Sequence, residues 1–104
     1  MGKKIIWSSD ALDQLEDIHF YIFFESKSIK IADKVVNTIF DSTDILKTQP
    51  EVYKLDKQKN KNDGSFRVYF VYNYAVSYQV TEENIYILRV RHNAQKPQKH
   101  SWKK

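Results

Sequence analysis

The sequence predicts an α+β domain in which a helical hairpin packs on an antiparallel sheet, with element order β-α-α-β-β-β. Three observations carry this. Apolar residues recur at helical spacing from about residue 8 to residue 48. A lysine-rich stretch, KLDKQKNKNDG at Lys54–Gly64, then interrupts the pattern. Beyond it, three runs rich in aromatic and β-branched residues are separated by turn signals at Asn73 and at Thr81–Asn84.

The first element is a short strand, Lys3–Trp7. Ser8 or Ser9 then caps a helix, with Asp10 and Asp13 near its positive end. Leu12, Leu15, Ile18 and Ile22 give this helix its apolar stripe, with His19 on or near it, and it runs to about Phe24. Glu25–Ser28 is a polar break. A second helix runs from Ser28 to about Thr48 on a stripe of Ile31, Ala32, Val35, Ile39 and Leu46, with Val36 and Phe40 alongside. Pro50 ends it. The short connection makes the two helices an antiparallel pair. The strands that follow are Phe66–Tyr72, Tyr74–Val80 and Ile85–His92, and their short turns imply a meander.

The 104 residues suit one domain, 1–94, followed by a basic tail, 95–104. With no cysteine, disulfides, thiol catalysis and cysteine-ligated zinc are excluded. Two glycines cannot build a phosphate-cradling loop, so no nucleotide cofactor is expected. Three scattered histidines without an HExxH string give no metal site. No apolar run is long enough for a membrane span, and the N-terminus has too short an apolar run for a signal peptide, so the expected compartment is the cytoplasm. Charge is uneven. Residues 1–50 hold six Lys against eight acids, net −2; residues 51–104 hold eight Lys and three Arg against five acids, net +6. A basic half attracts nucleic acid or an acidic protein segment.

Strand alternation nominates a site. Arg67, Tyr69 and Val71 share one face; Ile85, Ile87, Arg89 and Arg91 share one; Tyr86, Leu88, Val90 and His92 take the other. With the helices over the Phe66, Val68, Val76, Leu88 and Val90 side, all three arginines fall on the opposite face. Arginine pairs with phosphate and carboxylate through its planar fork, and Tyr69 could stack on a base or cap the patch. The alternative is a solvated face with the arginines paired to Glu51 or Asp63. His92 is a general acid or base by its neutral-range pKa, or a hydrogen-bonding group at a strand end. His19 is best read as a partly buried, hydrogen-bonded residue. The carboxylates Asp10, Asp13, Glu16 and Asp17 complement a helix start, and Ser8 and Ser9 are caps without a base to make them nucleophiles. Lys54, Lys57, Lys59 and Lys61 can touch phosphates without sequence choice.

Several strings, in order, resemble the RelE/ParE superfamily of toxins from bacterial type II toxin–antitoxin systems, the plasmid stabilisation proteins. They are Ile6-Trp7-Ser8-Ser9-Asp10-Ala11 with Leu15, Ile22 in an aromatic-rich helix end, and Leu46 with Pro50. Arg67, Tyr74-Ala75-Val76-Ser77-Tyr78, and Ile87-Leu88-Arg89-Val90-Arg91-His92 with Pro97 complete the set. The resemblance implies the same β-α-α-β-β-β fold. It implies a cognate antitoxin lying across the helical hairpin and adding to the sheet, often through an acidic segment. No cofactor is implied, and a homodimer is compatible with it.

The superfamily divides by target. RelE-like members cut messenger RNA on the ribosome with clustered Lys and Arg; ParE-like members lack that cluster and poison DNA gyrase. Where the ribonuclease type carries a basic residue after the middle-strand tyrosine, this chain has Ala75, and lysine positions of the preceding strand fall near Phe66 and Val68. Arg67 and His92 match ParE-like positions, with Arg89 and Arg91 as neighbours. The arginines usual after His92 are replaced by Asn93-Ala94-Gln95-Lys96. RNA cleavage needs a base, an acid and charge stabilisation, and the first two are lacking unless His92 and Tyr69 serve. The resemblance therefore implies a ParE-like toxin that binds its target through Arg67, Tyr69, Arg89, Arg91 and His92. The alternatives are a RelE-like endoribonuclease and an inactive module that keeps only antitoxin binding.

Overall fold

A computed structural model describes residues 2–57 and 61–92. Lys59, His100, Pro97, the 94/95 boundary and the tail 95–104 lie outside the described residues. The order is β1 (Lys4–Trp7), α1 (Ser9–Ser26), α2 (Ile29–Asp41), a 3-10 segment (Ser42–Lys47), β2 (Lys54–Leu55), β3 (Phe66–Val71), β4 (Tyr74–Val80) and β5 (Asn84–His92). Two helices pack on one face of a five-stranded mixed sheet, the α+β architecture expected.

Local chemistry fixes the helix ends. The Ser8 hydroxyl accepts from the Ala11 N–H at 3.0 Å, and its own backbone N–H donates to Ile87 O at 2.9 Å, so one residue starts α1 and ties it to the sheet. Lys27 closes α1 in the left-handed region at φ 60°. Ser28 then caps α2 by accepting from the Ile31 N–H at 3.1 Å.

The second helix is shorter than its sequence predicts. The string Asp41-Ser42-Thr43-Asp44 has four side chains that compete for backbone groups. Ser42 Oγ donates to Ile39 O and Thr43 Oγ1 donates to Phe40 O at 2.9 Å, and the chain tightens into the 3-10 segment there. Leu46 and Thr43 are its two buried residues.

The strand order is β1-β5-β4-β3-β2. The meander is antiparallel as expected, while β1 lies parallel to β5 and pairs Lys4 with Asn84. Tyr72, expected to end β3, instead opens the β3–β4 turn at φ 55°. The start of the expected lysine loop forms the edge strand β2, paired with Val68 and Arg67. The loop's return is organised by Asn62, whose amide donates to Asp56 O and Phe66 O.

A register shift in β5 decides which side chains face the helices. Ser77 pairs with Arg89 and Tyr78 with Ile87, leaving Leu88 as an extra residue. Ile85 and Ile87 are therefore buried on the helix side, and after the bulge Val90 is buried there too. They join Ala11, Leu15, Ile18, Ile39, Leu46, Tyr69, Val76 and Tyr78 in one core. Leu12 and Ile31, expected in the apolar stripes, are about half exposed, at 46% and 50%.

Candidate functional site

Two surfaces are built by this arrangement. The first is the sheet face away from the helices. Pairing places Phe70, Ala75 and Arg91 in one row across it, and Lys54, Val68, Ser77 and Arg89 in the next. Phe66, Gln79, Tyr86 and Ile6 form a third. The small side chains Ala75 and Ser77 make a floor along β4, with aromatic residues on the β3 side and arginines on the β5 side. Arg89 and Arg91 are exposed, and among the described residues neither pairs with a carboxylate. Asp63 instead accepts from Ser65 N at 2.9 Å and Oγ at 2.6 Å, which holds its carboxyl below the usual range.

The five residues nominated from the sequence do not share this face. Only Arg89 and Arg91 lie on it. Arg67 pairs with Tyr78, and Tyr69 with Val76, on the helix side. The expectation that all three arginines face away from the helices is therefore corrected. Alternation gives two faces without saying which one the helices cover, and the bulge at Leu88 inverts the parity within β5. Arg67 Nη1 donates to Tyr53 O at 2.7 Å, and its Nε is buried without a partner. Tyr69 is 5% exposed; its ring stacks on Tyr53 at 4.2 Å and its hydroxyl bonds Ser42 Oγ at 2.7 Å. His92 lies edge-on to buried Tyr74 at 5.0 Å.

Burial pushes the Tyr69 hydroxyl up to about 12, against the opposing Ser42 hydrogen bond. Burial likewise pushes Tyr78 up to about 12 although the Arg67 charge pulls it down, and Tyr78 donates to Pro50 O at 2.8 Å. Spectrophotometric titration should therefore show Tyr74, also raised by burial, above its ordinary value of 10.0, and the Tyr69 and Tyr78 phenols ionising only near 12. Their folded values lie above the unfolded one, so their stabilising contribution is complete below pH 10 and is lost as pH rises to 12. Two late phases that vanish in Tyr69→Phe/Tyr78→Phe would bear this out; a parent protein without them would refute it.

The second surface was not read from the sequence. On the outer side of the hairpin, Leu12, Glu16, His19 and Phe23 recur at i, i+4, i+7 and i+11 along α1. Ile29, Asp33, Val36 and Phe40 repeat that spacing on α2. His19 Nε2 meets Asp33 Oδ1 at 2.7 Å, joining the ridges at mid-length and giving His19 the hydrogen-bonded setting expected. A groove of about 440 Å³ opens beside it, lined by Leu12, Asp13, Leu15, Glu16, His19 and Val36. Leu12, Phe23, Ile29 and Phe40 are each 41–55% exposed. The signal was a second apolar stripe in α1, outside the one that feeds the core. Helix α1 also holds five acids and no Lys or Arg, so the groove is acidic on its α1 side, while α2 carries Lys30 and Lys34 beside Asp33 and Asp41.

The ParE toxin model, described as the ParE toxin of the type II toxin-antitoxin system parDE, matches residues 5–97. The chain belongs to the ParE toxin family. A solved chain of the chromosomal ParDE TA system from P. aeruginosa superposes with a TM-score of 0.73 at 16% identity, over 86% of this chain and 95% of that one. At that identity the likeness is one of fold. No curated protein sequence matches. As a ParE-family toxin the chain carries none of the metal-holding His, Cys, Asp or Glu clusters among its described residues. Nor is any described helix long and apolar enough to cross a membrane.

Proposed function

We propose that this ParE-family toxin is neutralised by a cognate antitoxin whose amphipathic helix lies in the groove between α1 and α2, and that it inhibits a protein target in the cytoplasm, with DNA gyrase the family-implied candidate. The observation that carries the antitoxin half is the groove itself. Two apolar ridges at helical spacing, exposed and unfilled by this chain's described residues, suit a third helix. The five acids of α1 favour an antitoxin helix whose apolar stripe is flanked by Lys or Arg. The antitoxin chain continues along a sheet edge. The toxin domain is 1–94, with 95–104 a basic extension.

On the target side, Arg89 and Arg91 are the presented residues, while Arg67, Tyr69 and His92 act from the helix side by holding the sheet's shape. The geometry favours a binding toxin over a RelE-like ribonuclease. Tyr69 is buried, bonded to Ser42 and kept protonated, and it stands on the opposite face from Arg89 and Arg91. It cannot complete a base–acid pair around a phosphate held there.

Expression of the chain alone from a tight promoter tests this. Growth should stop with disturbed DNA supercoiling and intact transcripts. Cut transcripts would transfer the protein to the ribonuclease branch, and unaltered growth would make it an inactive module. Phe23→Asp should keep the arrest yet escape neutralisation, with at least about 30-fold weaker antitoxin binding, the size expected for a buried aromatic anchor. Equal neutralisation of Phe23→Asp and the parent would remove the groove from the interface. Sedimentation of the free chain tells whether two copies pair in the antitoxin's absence.

A further inference from the structure

We infer that the open sheet face is a binding trough for single-stranded nucleic acid. The inference goes beyond the toxin–antitoxin reading and holds whatever the protein target is.

The argument starts from the three rows of side chains on that face. Lys4, Lys54, Arg89 and Arg91 give the face its positive charge, and Asp56, opposite Phe66 at the β2 edge, is an acid in register with it. Arg89 and Arg91 stand two residues apart on one strand, about 7 Å along it. They form a wall of two unpaired guanidinium groups suited to successive phosphates. Opposite them, across the small side chains of Ala75 and Ser77, stand Phe70 and Val68. Phe70 is 58% exposed and packs in no core, so its ring is available for a base to stack on. Phe66 and Tyr86 extend the aromatic surface in the third row. Aromatic wall, small floor and cationic wall lie side by side, the order in which a single strand offers bases, sugars and phosphates. The floor Ala75–Gln79 is about 14 Å long, room for about two to three nucleotides at the ~7 Å phosphate spacing that the two arginines match.

An acidic protein segment is the competing occupant. A peptide strand gains affinity at a sheet by hydrogen bonding to an unpaired edge. Here the floor strand β4 is paired on both sides, so its backbone offers a peptide nothing. Flat rings and forked cations favour nucleic acid, which uses sheet faces in this way. Duplex DNA is too wide to lay its bases against Phe70, so the preference is for unpaired strands.

The test is fluorescence anisotropy of the full chain with labelled dT20 and a 20-residue unstructured RNA, from 50 to 300 mM salt. Both should bind more tightly than the corresponding duplex. Arg89→Ala/Arg91→Ala should weaken binding at least tenfold and lower the slope of log Kd against log salt by about 1.4, two phosphate contacts at ~0.7 each. Phe70→Ala should weaken binding about 5- to 100-fold with the slope unchanged. Circular dichroism of each variant checks that these exposed substitutions leave the fold intact. The basic tail supplies the control: Lys96→Gln/Lys99→Gln/Lys103→Gln/Lys104→Gln should keep single-strand preference and the effect of Phe70→Ala. The inference is overturned if the tail variant loses all binding while the arginine variant binds like the parent, or if nothing binds at 50 mM salt. It is also overturned if poly-glutamate binds as tightly as dT20 with the same dependence on Phe70, which assigns the face to an acidic protein.

Discussion

Leu46→Ala should cost about 2–5 kcal/mol of folding free energy, the range for emptying a fully buried leucine site. Leu46 is 0% exposed and is the only large apolar residue that the 3-10 segment buries. That segment has little else to hold it against the sheet, since its local bonds run from Ser42 and Thr43 back into α2. The loss should spread to neighbours: Phe40, stacked on Trp7 at 5.1 Å, and the Ser42–Tyr69 hydroxyl pair both enter or leave this segment. Urea denaturation should give a lower midpoint with an unchanged slope. The Tyr69 phenol should also titrate earlier in the variant, because its burial and its Ser42 partner depend on the same anchor. A cost below about 1 kcal/mol would mean that the segment collapses onto the space, and the account of how α2 is joined to the sheet would fail.

Arg67→Ala should destabilise the protein by about 1.5–3 kcal/mol, the range for a hydrogen bond from a charged group to a buried acceptor. The Arg67 stem lies among Tyr53, Tyr69 and Tyr78, and its guanidinium holds the Tyr53 carbonyl, which precedes β2. Arg67→Met keeps the stem and removes the orphaned Nε, so it should recover part of the loss. Arg67→Lys should recover less than a charge-only role requires, since a lysine ammonium lacks the planar fork. Thermal melts of the three variants check the order. The same variants separate two roles for a residue that the family resemblance assigns to the target surface. A contact residue would lose target inhibition with an unchanged melting temperature, whereas a clamp loses stability first. An Arg67→Ala protein as stable as the parent but inactive would restore the target role.

The sequence made the fold legible because its periods are clean. Ser8, Ser28 and the apolar stripes place both helices, and the turn at Thr81–Asn84 and the run Tyr74–Val80 place the sheet's central strands. What remained illegible has physical causes. The division of the second helix comes from Ser42 and Thr43 turning back to carbonyls, a competition that apolar spacing does not record. The parallel seat of β1 beside β5 is a long-range pairing with no local signal. The site was half legible. Arg89 and Arg91 were found by residue type and spacing, but their separation from Arg67 depends on one extra residue, Leu88, that period-two counting cannot see. The groove went unread because Leu12, Val36 and Phe40 were counted with the core-facing stripes. The exposure of Leu12 and Phe40 follows only from how the two helices pack.

The seat of β1 also sets the order of events during synthesis. Its partner β5 is the last strand of the described chain, 80 residues downstream, and β5 also receives α1 through Ser8 and through the Gln14 side chain on Val90 N. The N-terminal strand has no strand partner, and the first helix no seat on the sheet, until β5 has left the ribosome. At about 5–20 residues per second, the 51 residues from the end of α2 at Asp41 to His92 leave roughly 3–10 s in which the hairpin exists without its sheet. Long-range closure of this kind is slow relative to helix formation. Under the proposed reading, an antitoxin already present in the cell would meet the apolar groove before the toxin has assembled its open sheet face.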